Sequence, residues 1–144
     1  MKVREPLFGS PCRLNKVLAI WHMKNKTILI IEDDVLNMKL VSRILQLKNF
    51  AVLKAENAEV GIQLARENMP DLILMDIQLP GINGIEATKL ILNDNELKDI
   101  PIVAVSSLAM ESDKDNAFKA GVKDYITKPI NKKNLINTIH KYIS

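Results

Sequence analysis

Three carboxylates, a hydroxyl and an ammonium stand at the ends of short apolar runs in this chain. Glu32 and Asp33 follow Thr27-Ile28-Leu29-Ile30-Ile31, and Asp76 follows Leu72-Ile73-Leu74-Met75. Ser106 closes Ile102-Val103-Ala104-Val105, and Lys128 closes Lys123-Asp124-Tyr125-Ile126-Thr127. Carboxylates brought together repel, and one takes up a proton unless a cation intervenes. Mg²⁺ resolves that conflict, because it prefers carboxylates, waters and phosphate oxygens. A hydroxyl and an ammonium beside such a cation form a cradle that can hold three phosphoryl oxygens. Asp76 is then the nucleophile that receives the group as an aspartyl phosphate. Taken singly, Ser106 reads as a loop hydroxyl and Lys128 as a solvated charge; their combination at strand ends carries the phosphoryl chemistry. Asp34 reads differently, as the N-cap of a following helix.

The apolar runs are too short for buried helices and read as strands covered on both faces. Phe50-Ala51-Val52-Leu53 adds a further one. Between them lie helical patterns. After Asp34, the residues Leu36, Leu40, Ile44 and Leu47 recur at helical spacing, joined by Val41 and Leu45, and Asn49 suits the stop. Asn57 caps a helix with Val60, Ile62, Leu64 and Ala65 that ends before Pro70. A third helix carries Ile85, Ala87, Leu90 and Ile91. A weaker one covers about Ala109 to Ala120, with Gly121 as its stop. Asn131 caps the last, with Leu135, Ile136, Ile139 and Ile143 on its core face. Strand and helix alternate five times. That order implies a parallel sheet with right-handed crossovers, and it is too short for an eight-stranded barrel. The expected fold is α/β, a (βα)5 doubly wound sheet of order 2-1-3-4-5, flavodoxin-like. Its switch point, between strands 1 and 3, brings Glu32-Asp33 to Asp76.

At 144 residues, 26% charged and 47% hydrophobic, the chain has the composition of one globular domain. Its net charge of +3 conceals an asymmetry. Residues 1–26 carry Lys2, Arg4, Arg13, Lys16, Lys24 and Lys26 against Glu5, a net +5 that leaves the other 118 residues at −2. The slightly acidic body argues against direct nucleic-acid binding. Residues 1–26 read as a disordered basic extension, with a membrane-surface or partner-binding tail as the sharper alternative. Met23 is a candidate translation start, and Val17 to Trp21 is too short for a signal-peptide core. A single cysteine, Cys12, gives no disulfide framework, so a cytoplasmic setting is expected. No apolar run reaches membrane-span length. There is no GxGxxG or GxxxxGK[ST] loop, which removes support for nucleotide binding. The two histidines, His22 and His140, lie away from the crevice, so a His-based triad is unsupported.

These residues resemble the receiver domain of two-component response regulators, the CheY-like superfamily. Glu32-Asp33 matches the family's acidic metal-binding pair. Asp76, in Asp-Ile-Gln-Leu-Pro-Gly-Ile-Asn-Gly, matches its phosphoacceptor, with the D-x-x-x-P-x-x-x-G loop intact. Ser106 matches the Ser/Thr switch position, Tyr125 the switch aromatic and Lys128-Pro129 the Lys-Pro pair. The resemblance spans about residues 27–143 and looks most like DivK-type single-domain regulators, which makes 27–144 the receiver domain and 1–26 an extension. It departs at Glu32, where many relatives have Asp. An Asp33-Asp34 register is therefore also open, although the distance to the stop near Asn49 favours Glu32-Asp33. It departs again at Ser107, where a small apolar residue is common and access to the phosphate could change.

The resemblance implies a function and its parts. Asp76 would accept a phosphoryl group from a histidine kinase or histidine phosphotransfer protein. The cofactor would be Mg²⁺, or Mn²⁺ in its place, held by Glu32, Asp33, Asp76 and the backbone carbonyl of Gln78. Ser106 and Tyr125 would switch, and the face of the fourth helix, fifth strand and fifth helix would meet a downstream protein. Apart from the resemblance, the slightly hydrophobic side of the fourth and fifth helices could pair in a weak dimer. Gln78 and Leu108 would border the path of the attacking water. Beyond its own phosphorylation and dephosphorylation the chain would be no enzyme, and with the sequence ending after the fifth helix its output would be protein contact. Two other functions compete. A haloacid-dehalogenase-like hydrolase needs Asp-x-Asp after strand 1, and here Val35 or Leu36 occupies the second position. An unphosphorylated scaffold would not need every key position filled.

Overall fold

The computed structural model describes residues 26–108 and 110–143. The extension expected over 1–26 lies outside the described residues, apart from Lys26, as do Ala109 and Ser144. Among the described residues five strands alternate with five helices: β1 Thr27–Ile31, α1 Val35–Leu47, β2 Ala51–Ala55, α2 Ala58–Asn68, β3 Leu72–Asp76, α3 Gly84–Leu92, β4 Ile102–Ser106, α4 Glu111–Ala120, β5 Asp124–Thr127 and α5 Lys132–Tyr142. All sheet pairings are parallel, and the order is β2-β1-β3-β4-β5. This is the doubly wound arrangement expected from the alternation.

The strands are apolar because helices cover both faces. Ile28, Ile30, Leu72, Leu74, Val103, Val105 and Ile126 face α1 and α5, where they pack with Val41, Leu45, Leu135 and Ile139. Leu29, Ile31, Ile73, Met75 and Ala104 face the other way, toward Ala65, Ala87, Ile91 and Ala117. The two-residue period of a strand assigns each end residue to a face as well. Glu32 continues the row of Ile28 and Ile30, Asp76 that of Leu72 and Leu74, and Lys128 that of Ile126. Ser106 continues the row of Ala104 instead, and Tyr125 packs on that same side.

The helix caps follow the expected side chains. Asp34, Asn57 and Asn131 each accept a hydrogen bond from the backbone N–H three residues on. Asn83 does the same for α3. Asn49 and Gly121 adopt positive φ, 69° and 118°, as helix stops.

The core face of α1 keeps part of the expected pattern, Val41, Ile44 and Leu45, and departs from the rest. Leu36, Leu40 and Leu47 are exposed, and the buried residues are Met38, Val41, Ser42, Ile44 and Leu45. The helix is apolar around much of its circumference, so more than one stripe has helical spacing. The rotation is settled by where β1 delivers the chain and by the Asp34 cap. For a similar reason Val60 and Leu90 are exposed, while the small residues Ala58, Gly61 and Ala65 on α2 and Ala87 on α3 meet the sheet.

Candidate functional site

The site grows out of strand register. Ile31 pairs with Met75, so Glu32 and Asp76 leave adjacent strands at the same level and on the same face. Val105 pairs with Asp76, and Ser106 with Thr127. The Lys128 N–H then donates to the Ser106 carbonyl at 2.8 Å, one step beyond the last pair. Four strand ends thus deliver Glu32, Asp76, Ser106 and Lys128 to one edge of the sheet.

Glu32, Asp76 and Ser106 are buried, at 4%, 3% and 0% exposure. Asp33 is exposed. Carboxylate oxygens of Glu32, Asp33 and Asp76 all lie within 4.8 Å of one another. Lys128 Nζ lies 3.0 Å from Glu32 Oε1 and 3.3 Å from Asp76 Oδ2. The second oxygen of each buried acid takes a backbone donor: Gln78 N–H reaches Asp76 Oδ1 at 2.9 Å, and Asp34 N–H reaches Glu32 Oε2 at 3.1 Å. Asp34 itself spends Oδ1 on the Asn37 N–H at 3.0 Å. The acidic group therefore gathers Glu32 and Asp33, and Asp34 is a cap.

Burial, then the adjoining Asp76 carboxylate, pushes the Glu32 carboxyl up from 4.5 to about 7. The Asp34 N–H and Lys128 pull the other way without cancelling this. Burial alone would lower the Lys128 ammonium; its hydrogen bond to Glu32 and the charges of Asp76 and Glu32 outweigh that and hold it above its ordinary value.

The loop after Asp76 is fixed by a close approach. The Gly84 N–H donates to the Ile77 carbonyl at 3.0 Å. A Cβ on Gly84 would collide with the Asp76 carbonyl oxygen and lie 2.6 Å from Ile77 Cα. Glycine is required here by contact, whereas Gly81 supplies a turn at φ 72°. The Lys128–Pro129 peptide is cis.

Ser106 and Tyr125 are linked through Leu108. The Leu108 N–H donates to Ser106 Oγ at 3.0 Å, and the Tyr125 hydroxyl donates to the Leu108 carbonyl at 2.7 Å. Sequence reasoning marked Ser107 as a departure that could change access to the phosphate, but not its bond to Gln78. The Ser107 hydroxyl donates to Gln78 Oε1 at 2.6 Å. A polar residue at 107, beside a glutamine two residues past Asp76, was the available signal.

The response regulator receiver domain family matches residues 28–140. The chain belongs to that family. Its relatives include the polar-differentiation response regulator DivK of Brucella anthropi, 42% identical over 118 residues, which are 82% of this chain and 96% of that protein. Among solved structures it is similar to the receiver domain of the sensor histidine kinase PA1611 of Pseudomonas aeruginosa, described with a magnesium ion coordinated in the active site cleft. The TM-score is 0.78 at 28% identity, covering 83% of this chain and 98% of that one. It is also similar to the receiver domain of the response regulator Ssk1 of Saccharomyces cerevisiae, solved with the phosphotransfer protein Ypd1. That TM-score is 0.77 at 29% identity, covering 83% of this chain and 89% of the other. The receiver domain is thus a response regulator module related to DivK and CheY-like proteins, and the hydrolase alternative is not favoured: the family match is to receiver domains, and Val35 and Leu36 stand where that class needs a second aspartate after β1. Among the described residues, no helix is long and apolar enough to cross a membrane.

Proposed function

We propose that Asp76 accepts a phosphoryl group from the phosphohistidine of a histidine kinase or phosphotransfer protein, and that the phosphorylated chain signals by protein contact. The observation that carries this is the Lys128 ammonium set between Glu32 and Asp76, 3.0 and 3.3 Å away. In the transfer, Asp76 Oδ forms a bond to phosphorus as the phosphorus–nitrogen bond breaks, and the imidazole keeps that electron pair and takes a proton. Lys128 can follow the incoming phosphoryl oxygens, and the Ser106 hydroxyl can turn to a second. The donor set suits a hard divalent cation: three clustered carboxylates, one of them pushed toward protonation by burial and by the adjoining Asp76 carboxylate, whose charge a cation would offset. Glu32, Asp33, Asp76 and the Gln78 carbonyl would hold Mg²⁺ or Mn²⁺, which when bound neutralises charge on the acids and the phosphoryl oxygens. Rotation of Ser106 would pull on Leu108 and so on Tyr125, carrying the change to the α4–β5–α5 face. The setting proposed is the cytoplasm, with no catalysis beyond the chain's own phosphorylation and dephosphorylation.

The test is incubation with acetyl phosphate and Mg²⁺, followed by intact mass. Wild type should gain a single base-labile phosphoryl group, absent without Mg²⁺ and absent in Asp76→Asn. Equal labelling of the variant, or turnover of many phosphoesters, would overturn the reading.

A further inference from the structure

The carboxamide oxygen of Gln78 is held by more donors than loop packing requires. It accepts from the Ser107 hydroxyl at 2.6 Å, from the Ser107 N–H at 3.3 Å and from the Ser106 hydroxyl at 3.4 Å. A backbone N–H can only donate, so the atom facing it is the oxygen of the carboxamide, and both hydroxyls act as donors. Gln78 and Ser107 are exposed, yet an exposed glutamine ordinarily keeps its rotamer freedom. The backbone of Gln78 is tied to Asp76 through the 2.9 Å bond to Oδ1. The side chain therefore bridges the ends of β3 and β4 beside the Asp76 carboxylate.

The two hydroxyls hold this oxygen unequally. Ser106 is buried and its contact is long; Ser107 is at the surface and its contact is short. Ser106 can leave Gln78 for a phosphoryl oxygen at little cost, and Ser107 keeps the carboxamide in place when it does.

We propose that Ser107 is a positioning residue that sets the lifetime of the phosphoryl group, by clasping the Gln78 carboxamide across the mouth of the site. The proposal rests on Asp76 being the phosphoacceptor. In hydrolysis a water oxygen bonds to phosphorus as the bond from phosphorus to Asp76 Oδ breaks. The carboxylate keeps the electron pair, and the proton of the water leaves with the released phosphate and solvent. A clasped carboxamide obstructs the approach of that water; a free one swings away.

The experiment labels the protein with acetyl phosphate and Mg²⁺, removes the donor, and follows intact mass against time. Ser107→Ala should shorten the half-life roughly five-fold, the scale of one net hydrogen bond. Ser107→Thr, which keeps the hydroxyl, should restore it. Gln78→Leu should shorten it as well, and adding Ser107→Ala to Gln78→Leu should change nothing further. Melting temperature is read beside each half-life. An unchanged half-life in Ser107→Ala overturns the clasp. So do multiplying effects in the double variant, or a shortening that follows lost stability and is not rescued by Thr. A wild type that takes no label removes the phosphoacceptor reading, and the clasp with it.

Discussion

The Lys128 ammonium lies 3.0 Å from the Glu32 carboxylate, closer than its 3.3 Å to Asp76. In the unphosphorylated protein the lysine therefore balances a buried acid pair, in addition to any role toward phosphate. Lys128→Met should leave Glu32 and Asp76 facing each other with no cation. Removing one partner of a buried pair is costly, but Glu32 can escape by taking up a proton. The expected loss is about 1–3 kcal/mol at neutral pH, read by urea unfolding. Phosphoryl uptake on Asp76 should fall by at least an order of magnitude. A variant as stable as wild type, with the Glu32 carboxyl titrating unchanged by ¹³C NMR, would show that the ion pairs contribute nothing.

The raised Glu32 carboxyl makes a signed prediction for stability against pH. Its folded value, about 7, exceeds the 4.5 of the exposed group, so between those values the folded state binds more protons than the unfolded one. Stability then falls as pH rises from about 4.5 to about 7 and levels off above. The fall attributable to Glu32 is at most about 3 kcal/mol. Without Mg²⁺ the melting temperature should be lower at pH 8 than at pH 6, and Glu32→Gln should flatten that difference. Added Mg²⁺ should stabilise wild type most at the higher pH, where the acids are ionised. Equal pH slopes in wild type and Glu32→Gln would assign the effect elsewhere.

The parts of the site that were legible in sequence are those fixed by strand ends. Asp76, Lys128 and Ser106 each close an apolar run, and a parallel order of 2-1-3-4-5 leaves them one edge to share. Caps at Asp34, Asn57 and Asn131 were legible because a single side chain satisfies a local backbone donor. The rotation of α1 was not. Leu36, Leu40 and Leu47 have the spacing of a core stripe, and only the packing of β1 and α5 shows that Val41 and Leu45 are the ones buried. The Gln78–Ser107 bond was equally hidden, since it joins residues on two loops that only the fold makes neighbours.

The two leucine rows of α1 can be separated by truncation. Leu45 is fully buried and Leu36 is 76% exposed. Leu45→Ala should cost about 2–5 kcal/mol, and Leu36→Ala no more than about 0.5 kcal/mol. Chemical denaturation of both variants decides it: similar costs would place the stripe where the periodicity alone suggested.

Gly84 should tolerate no side chain. Its missing Cβ makes room for the Asp76 carbonyl and Ile77 Cα, and both obstacles are backbone. Gly84→Ala must therefore move β3 or the start of α3. A loss of about 1–3 kcal/mol is expected, together with slower labelling of Asp76, since the strand end that carries it shifts. Gly81→Ala is the comparison. It meets nothing within 4 Å and suffers only from its positive φ of 72°, so it should cost about 1 kcal/mol and leave labelling near wild type.

Tyr125→Phe tests how the site reaches the surface. The Tyr125 hydroxyl donates to the Leu108 carbonyl, and the Leu108 N–H donates to Ser106 Oγ. A turn of Ser106 releases that N–H, and the loop can relax only if the carbonyl bond to Tyr125 adjusts with it. Removing the hydroxyl should cost little stability, about 0.5–1.5 kcal/mol, because the ring still packs against the α2–α4 side of the sheet. It should disconnect the two ends of the relay. On saturation with beryllofluoride and Mg²⁺, wild type should show amide shift changes at Ser106, at Leu108 and across α4 and β5. The variant should keep those at Ser106 and lose most of those on α4 and β5. Full propagation in Tyr125→Phe would mean that the change travels through apolar packing around Ala104 and Ala117, and that the hydroxyl bond is incidental.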